Sequence, residues 1–161
     1  CFYKSVDKSI TINPEIEEKL NAVESVKFIG YPNGLFDSAN LLPIMRTGIT
    51  ATPIQVDFEN RPTFLIDANV YQGSSGSPVF IFDQGIYSER NGNSVVGTRL
   101  IFLGVISGNY HRTSETEAVE TPTATIVKFR EAIGLGLVFK AKCVDECVDA
   151  FLALHKLEQL N

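Results

Sequence analysis

Three serines and two glycines stand together in one short segment, Gly73-Ser74-Ser75-Gly76-Ser77-Pro78. Apolar runs on either side predict strands at 63–66 and 79–82, so the segment between them is expected to form a compact loop. Glycine permits backbone angles that turn successive N–H groups into one concavity, which can hold a negatively charged oxygen. A serine in such a loop can attack a carbonyl carbon while those N–H groups stabilise the oxyanion, a contribution of about 2.7–4 kcal/mol per donor.

Two other motifs that place serine in a glycine-rich loop do not fit this segment. The nucleophile elbow of α/β-hydrolases is Gly-x-Ser-x-Gly followed by a helix. Here the final glycine is absent and the segment leads into a predicted strand. A phosphate-binding P-loop requires Gly-Lys followed by Ser or Thr, and the segment contains no lysine.

The loop resembles the nucleophile loop of trypsin-like (chymotrypsin-fold) serine peptidases, Gly-x-Ser-Gly-Gly-Pro. The sequence agrees with that motif at four positions and departs from it at Ser77, where the family usually has glycine; the four are Gly73, Ser75, Gly76 and Pro78. The match extends upstream of the loop to residues 66–68, and two further blocks resemble the family in the expected order along the chain: 28–34 with 47–50, and 103–108. The resemblance covers roughly residues 26–110 and implies the second barrel of a double-barrel enzyme.

The resemblance implies a role for each matching position. Ser75 would be the nucleophile, and the backbone N–H groups of Gly73 and Ser75 would form the oxyanion hole. Asn69 would lie at the base of the primary specificity pocket, where an uncharged residue does not indicate a preference for basic side chains. Three residues would pair with the substrate backbone as an added strand: Ser107, Gly108 and Asn109.

A serine hydroxyl needs a general base, and the base needs an orienting group. The chain has two histidines, of which His155 lies in a predicted terminal helix and His111 in a polar stretch expected to be solvated. In the family the His and Asp of the triad come from the first barrel. We therefore expect the 161-residue chain to lack both and to be inactive alone. We also expect it to associate with a missing N-terminal barrel.

Two interpretations from different functional classes remain open. The chain is expected to be the nucleophile-bearing part of an active serine endopeptidase, or a catalytically inactive trypsin-like domain that acts as a protein-binding module. Retention of Ser75 favours the enzyme, whereas the added bulk of Ser77 beside the nucleophile favours the binding module. Asp67 has two interpretations as well: it shapes the pocket wall or, as we prefer, caps the turn after the strand at 63–66.

Composition limits the partners. A net charge of −5 with scattered basic residues disfavours nucleic acid, and no 18-residue apolar stretch predicts a membrane span. A protein or peptide substrate is expected, without a metal or an organic cofactor. Three cysteines and the absence of a recognisable signal peptide favour a cytoplasmic location. Cys143 and Cys147 are expected to be buried thiols on one helix face.

The predicted fold is all-β: an antiparallel six-stranded barrel of the chymotrypsin type, the second half of the double barrel, with a C-terminal α-helix. Short strand-like runs predict it, at 9–12, 26–30, 44–51, 54–58, 63–67, 78–82, 95–106, 122–128 and 137–139. One domain is expected, with a lead-in at 1–25, the barrel at 26–140 and a helix at 142–158 docked on it.

The connections have their own signals. The lead-in contains a capped helix that ends near residue 21, and a turn is predicted at 31–34. An Asn-Gly hairpin tip is predicted at 89–93, and polar composition predicts long surface loops at 86–94 and 111–121.

Overall fold

A computed structural model describes residues 5–118 and 125–155, with side chains described for 5–111 and 133–155. The elements are two helices and six strands: α1 (Pro14–Lys19), β1 (Ser25–Gly30), β2 (Ile44–Thr50), β3 (Thr63–Asp67), β4 (Pro78–Ser88), β5 (Ser94–Ala118), β6 (Thr125–Lys140) and α2 (Ala141–His155).

The six strands form one antiparallel sheet that closes on itself in the order β1-β2-β3-β6-β5-β4. The ring closes where β1 meets β4, through the pairs Lys27–Phe80 and Phe28–Val79. Each strand of the ring has a neighbour on both sides, although β5 beyond Val105 pairs on one side only. The prediction of an all-β fold with six antiparallel strands in a closed sheet and a C-terminal helix is confirmed.

The inward positions of the strands build the core. On β1 the alternate residues Val26 and Phe28 are fully buried, as the period of two along a strand requires. β3 is buried along Thr63–Ile66, and β4 adds Val79 and Ile81. At about 25 cal/mol per Å² of apolar surface removed from water, this cluster is the main stabilising term of the ring.

The lead-in segment covers one side of the ring. Asn13 caps α1, since its side-chain oxygen accepts a hydrogen bond from the N–H of Ile16 at 2.9 Å. Thr11 forms a parallel bridge with Phe102 of β5, which ties the segment to the sheet. The predicted capped helix is therefore confirmed, and it ends at Lys19.

Two predictions of strands within the ring are wrong. Residues 54–58 form a turn rather than a strand, although Ile54 is 1% exposed and belongs to the core. The runs at 122–128 and 137–139 were predicted as separate strands. The second belongs to β6, and so do residues 125–128, whereas 122–124 lie outside the described residues.

The predicted loops at 86–94 and 111–121 are wrong for most of their length. β4 continues to Ser88, and the Asn-Gly turn at 89–93 is confirmed by the hydrogen bond from the Glu89 N–H to the Asn93 carbonyl at 2.9 Å. β5 continues to Ala118 and pairs there with β6, while 119–121 lie outside the described residues. Polar composition did not prevent strand formation because cross-strand partners satisfy the backbone.

The last helix contacts β5 and β6, but the predicted packing of its apolar face on the ring is wrong. Ala141 is the only buried residue of α2, and the apolar side chains farther along are exposed, Phe151 at 56% and Leu154 at 78%. The helix contacts the ring near its first turn, where the Cys143 thiol faces the Pro62 carbonyl at 3.7 Å. Cys147 is exposed, so the expectation of two buried thiols is also wrong.

One charged cluster joins three parts of the ring. The Arg99 guanidinium on β5 donates hydrogen bonds to Glu24 at 2.7 Å and to Asp83 on β4 at 2.6 Å. The side chains of Arg99 and Glu24 are only 11% and 5% exposed. Glu24 also accepts from the backbone N–H of Asn21 at 2.7 Å, so the ion pair fixes the lead-in to the sheet.

We predict that Arg99→Met lowers the free energy of unfolding by about 3–5 kcal/mol, because it leaves Glu24 buried without its cation. Urea denaturation followed by circular dichroism measures the loss. The matched control is Lys19→Met, which breaks the exposed pair with Glu15 and is expected to cost less than about 1 kcal/mol. Equal losses in the two variants would contradict the structural role of the cluster.

Candidate functional site

The predicted serine loop connects β3 to β4 and is fixed against the turn that follows β1. Gly73 and Gly76 have φ values of +87° and +83°, which favour glycine. A Cβ on Gly73 would lie 2.6 Å from the Tyr31 carbonyl oxygen, so only glycine fits this approach. The N–H of Asn33 donates to the Gln72 carbonyl at 2.6 Å and fastens the two loops together.

The same loop is fixed to β5 on its other side. The Gly76 N–H donates to the Ile106 carbonyl at 2.7 Å, and the Ile106 N–H donates to the Ser77 carbonyl at 2.9 Å. Within the loop, the N–H groups of Ser74 and Ser77 donate to the carbonyls of Tyr71 and Ser74. The backbone of the loop is therefore held by two hydrogen bonds within the loop and by two to β5.

Two N–H groups of the loop differ from their neighbours. Within residues 5–118 and 125–155, the N–H groups of Gly73 and Ser75 find no hydrogen-bond acceptor, whereas those of Ser74, Gly76 and Ser77 all do. The two free donors belong to the residues predicted to form an oxyanion hole. They are available to a negatively charged oxygen without breaking any bond of the loop.

The hydroxyl of Ser75 is exposed and donates to the Ser107 carbonyl at 2.6 Å. Ser107 lies where the register between β5 and β6 shifts, between the pairs Ile106–Val138 and Gly108–Leu137. Such a bulge re-aims the backbone and is common next to functional sites. Here it coincides with the point at which the Ser107 carbonyl meets the Ser75 hydroxyl.

β5 changes its pairing at the predicted substrate-binding residues. Its pairing with β4 ends at Val105, and beyond that residue β5 pairs with β6 alone in the described part of the chain, at Gly108 and Asn109 but not at Ser107. Their other edge is open and could accept an extended peptide. The Asn109 carbonyl lies 3.0 Å from the Nδ1 atom of His111, which is exposed on the same strand.

A second register shift places Tyr110 beside the turn at 58–60. The Tyr110 hydroxyl donates to the Glu59 carboxylate at 2.7 Å, and this hydrogen bond raises the pKa of Tyr110. The ring of Tyr110 also meets Phe58 edge to face, with 5.5 Å between ring centroids. These contacts fix β5 at Tyr110, directly after the stretch Ser107–Asn109.

Asn69 lies just after β3 with an exposed side chain. A Cβ on Gly134 of β6 would lie 3.3 Å from its Oδ1 atom, so β6 passes close to Asn69 without a side chain there. Arg46 of β2 donates a hydrogen bond to the Asn69 carbonyl. The sequence contains no local signal for Arg46, because Arg46 and Asn69 are 23 residues apart along the chain.

Asp67 has an exposed side chain at the end of β3. Its carboxylate accepts no hydrogen bond from the described residues, so the preferred role as a turn cap is not seen.

Neither histidine of the chain is hydrogen-bonded to Ser75. His111 contacts the Asn109 carbonyl of its own strand, and His155 packs on Phe151 at the far end of α2, with 4.5 Å between ring centroids. Both are exposed, as predicted. Among the described residues, therefore, no imidazole is in hydrogen-bond contact with Ser75.

Ser77, the departure from the peptidase motif, is accommodated by a glycine on β1. Ser77 is 6% exposed, and a Cβ on Gly30 would lie only 2.0 Å from its Oγ atom. The hydroxymethyl group of Ser77 therefore occupies the space that a side chain at residue 30 would need. This arrangement lets the loop carry the larger residue beside Ser75.

An apolar cavity of about 340 Å³ lies elsewhere, on the outer face of the ring. Nine residues line it: Ser5, Val6, Ile10, Lys27, Ile29, Met45, Phe80, Phe82 and Leu100. None of them belongs to the serine loop. Among residues 5–118 and 125–155, no group of three or more His, Cys, Asp and Glu side chains could hold a metal ion, and no helix is long and apolar enough to cross a membrane.

Comparisons with protein-family models, with curated proteins and with solved structures found no match. The chemical interpretation of the site therefore rests on the motifs of the sequence and on the geometry of the loop.

We predict that Gly30→Ala lowers the free energy of unfolding by about 1–3 kcal/mol, because the new methyl group overlaps the Ser77 hydroxyl. Ser77→Gly in the same chain should recover much of that loss, giving a coupling energy of about 0.5–3 kcal/mol in a double-mutant cycle. Gly97→Ala, at a glycine with open space around it, is the control. Additive losses from the two substitutions would contradict the contact.

Proposed function

We propose that this chain is the nucleophile-bearing part of a trypsin-like serine endopeptidase, which hydrolyses peptide bonds through an acyl-enzyme on Ser75. One observation carries the proposal: the exposed Ser75 hydroxyl stands beside two N–H donors that have no acceptor among the described residues, in a loop whose other N–H groups are paired. A loop kept only for its structure has no need of two free donors next to a hydroxyl.

In the proposed reaction Ser75 Oγ attacks the scissile carbonyl carbon. The carbonyl oxygen gains negative charge and accepts hydrogen bonds from the N–H groups of Gly73 and Ser75, which have no other acceptor among the described residues. The amine leaves with a proton, and water then hydrolyses the ester on Ser75. The reaction uses protein groups alone, without a metal or an organic cofactor.

The substrate would lie along β5. The open edge at Ser107–Asn109 supports the addition of a peptide strand, whose backbone pairing gives affinity independent of side chains. The side chain before the scissile bond would then enter the region of Asn69, close to Gly134. The partner is accordingly a protein or peptide, not a nucleic acid.

The proton of Ser75 requires an acceptor that these residues do not provide. The Ser107 carbonyl, to which the hydroxyl donates, is far too weak a base to remove a proton. We therefore propose that an N-terminal barrel supplies the His and Asp of the triad by associating with this chain. The closed six-stranded ring followed by a helix supports the assignment of this part as the second barrel of the chymotrypsin type.

A second candidate is a catalytically inactive domain of the same type that binds a protein. The exposed apolar residues Val148, Phe151 and Leu154 of α2 favour it, because such a row on a helix usually contacts another surface. The hydrogen bond from the Ser75 hydroxyl to the Ser107 carbonyl is compatible with either candidate.

We predict that a fluorophosphonate probe labels Ser75 in the natural full-length polypeptide and that Ser75→Ala abolishes the labelling. Ser94→Ala, which removes an exposed serine on another part of the ring, should label like the wild type. Mass spectrometry of the labelled peptide identifies the modified residue.

The 161-residue chain by itself should show no measurable peptide hydrolysis, since neither of its two histidines is hydrogen-bonded to Ser75. Turnover by this chain alone would contradict the need for a second barrel. Absence of label from both the wild type and Ser75→Ala would overturn the enzyme and support the binding domain.

A further inference from the structure

Arg46 is placed at the serine-loop end of the ring by its pairing with β1. It stands directly opposite Phe28, which is fully buried. Residues opposite each other in an antiparallel pair direct their side chains to the same face of the sheet. The stem of Arg46 therefore enters the ring above the core, and its side chain is half-buried.

Two aromatic rings and one carbonyl hold the guanidinium of Arg46. Its central carbon lies 5.3 Å from the centroid of the Phe28 ring and 5.0 Å from that of Tyr71, both within the range of a cation–π contact. One N–H donates to the Asn69 carbonyl. The charge is thereby fixed beside the residue proposed to form the base of the specificity pocket.

No carboxylate of the described residues forms an ion pair with Arg46. Two other cations that are withdrawn from solvent do form them: Arg99 pairs with Glu24 and Asp83, and Lys140 pairs with Asp57. Half-buried Lys27 instead donates to the Phe82 carbonyl. A guanidinium has five N–H donors in a planar fork that matches a carboxylate. Arg46 donates one of them to a described acceptor, although the chain carries 19 Asp and Glu residues.

Asn69 carries a second polar group, on the residue whose carbonyl binds Arg46. Its side chain is exposed, and Gly134 of β6 passes close to it without a side chain. An acidic group bound here would meet two kinds of donor, the amide of Asn69 and the remaining N–H groups of the Arg46 guanidinium. Two donors around one acidic group recognise a carboxylate better than the uncharged amide of the same shape.

We propose that Arg46 makes this site selective for an acidic side chain, aspartate or glutamate, immediately before the scissile bond of a peptide. The proposal rests on the proposed function, because it takes Asn69 as the base of the primary pocket. It sharpens the earlier expectation for Asn69, which indicated no preference for basic side chains and left the substrate otherwise open.

The test compares two peptides that differ only in charge, acetyl-Ala-Ala-Glu-amide and acetyl-Ala-Ala-Gln-amide, by calorimetric titration of the 161-residue chain. The glutamate peptide should bind about tenfold more tightly, the ratio given by one added charge-assisted hydrogen bond. In Arg46→Met the ratio should fall to about one, because the guanidinium that distinguishes the two peptides is absent. Lys27→Met, which removes a cation on the outer face of the ring, should keep the ratio.

Equal affinity for the two peptides in the wild type would overturn the proposal, and so would a preference for glutamate that survives in Arg46→Met. Fluorophosphonate labelling of the natural full-length polypeptide separates the two levels of inference. Labelled Ser75 without a glutamate preference overturns the acidic selectivity alone. No labelling together with no binding of either peptide overturns the proposed function and the selectivity with it.

Discussion

The serine loop depends on the backbone of one buried residue, Ile106. Its N–H and its carbonyl bond the loop on both sides of the turn, to Ser77 and Gly76 respectively. Because Ile106 is 1% exposed, water has little access to compete for these two hydrogen bonds. The next residue along β5 is Ser107, whose carbonyl receives the Ser75 hydroxyl. The ring thus sets the loop position through the core rather than through surface contacts.

Local patterns were sufficient for most of the sheet. Runs rich in Val, Ile and Phe between turn residues identified most of the strands, because alternation and β-branched residues reflect the pleated backbone directly. The pattern failed at 54–58, where Ile54 supplies apolar character from within a turn and reaches the core. It also failed for the surroundings of α2. A helical period identifies an apolar face such as that of Phe151, but tertiary structure decides what covers it.

The backbone of the serine loop was predictable from the sequence, whereas the long-range contacts of its residues were not. Glycine at residues 73 and 76 indicated an unusual backbone, and both have positive φ. The bond between Ser75 and Ser107 spans 32 residues, and the register shift that accompanies it leaves no mark in composition. Arg46 escaped notice for the same reason, since its contacts with Asn69 and Tyr71 exist only after β2 has paired. Sequence identifies reactive residue types, whereas register decides their neighbours.

The closure of the ring between β1 and β4 has a kinetic consequence. The pair Phe28–Val79 brings together segments that are separated along the chain by β2 and β3. Such non-local pairing costs loop-closure entropy before any contact offsets it. The serine loop needs both the turn after β1 and the backbone of Ile106, so it is complete only when the ring has closed. During refolding, the hydrogen bonds of the serine loop are therefore complete only after the ring has closed, so they report on global assembly rather than on local order.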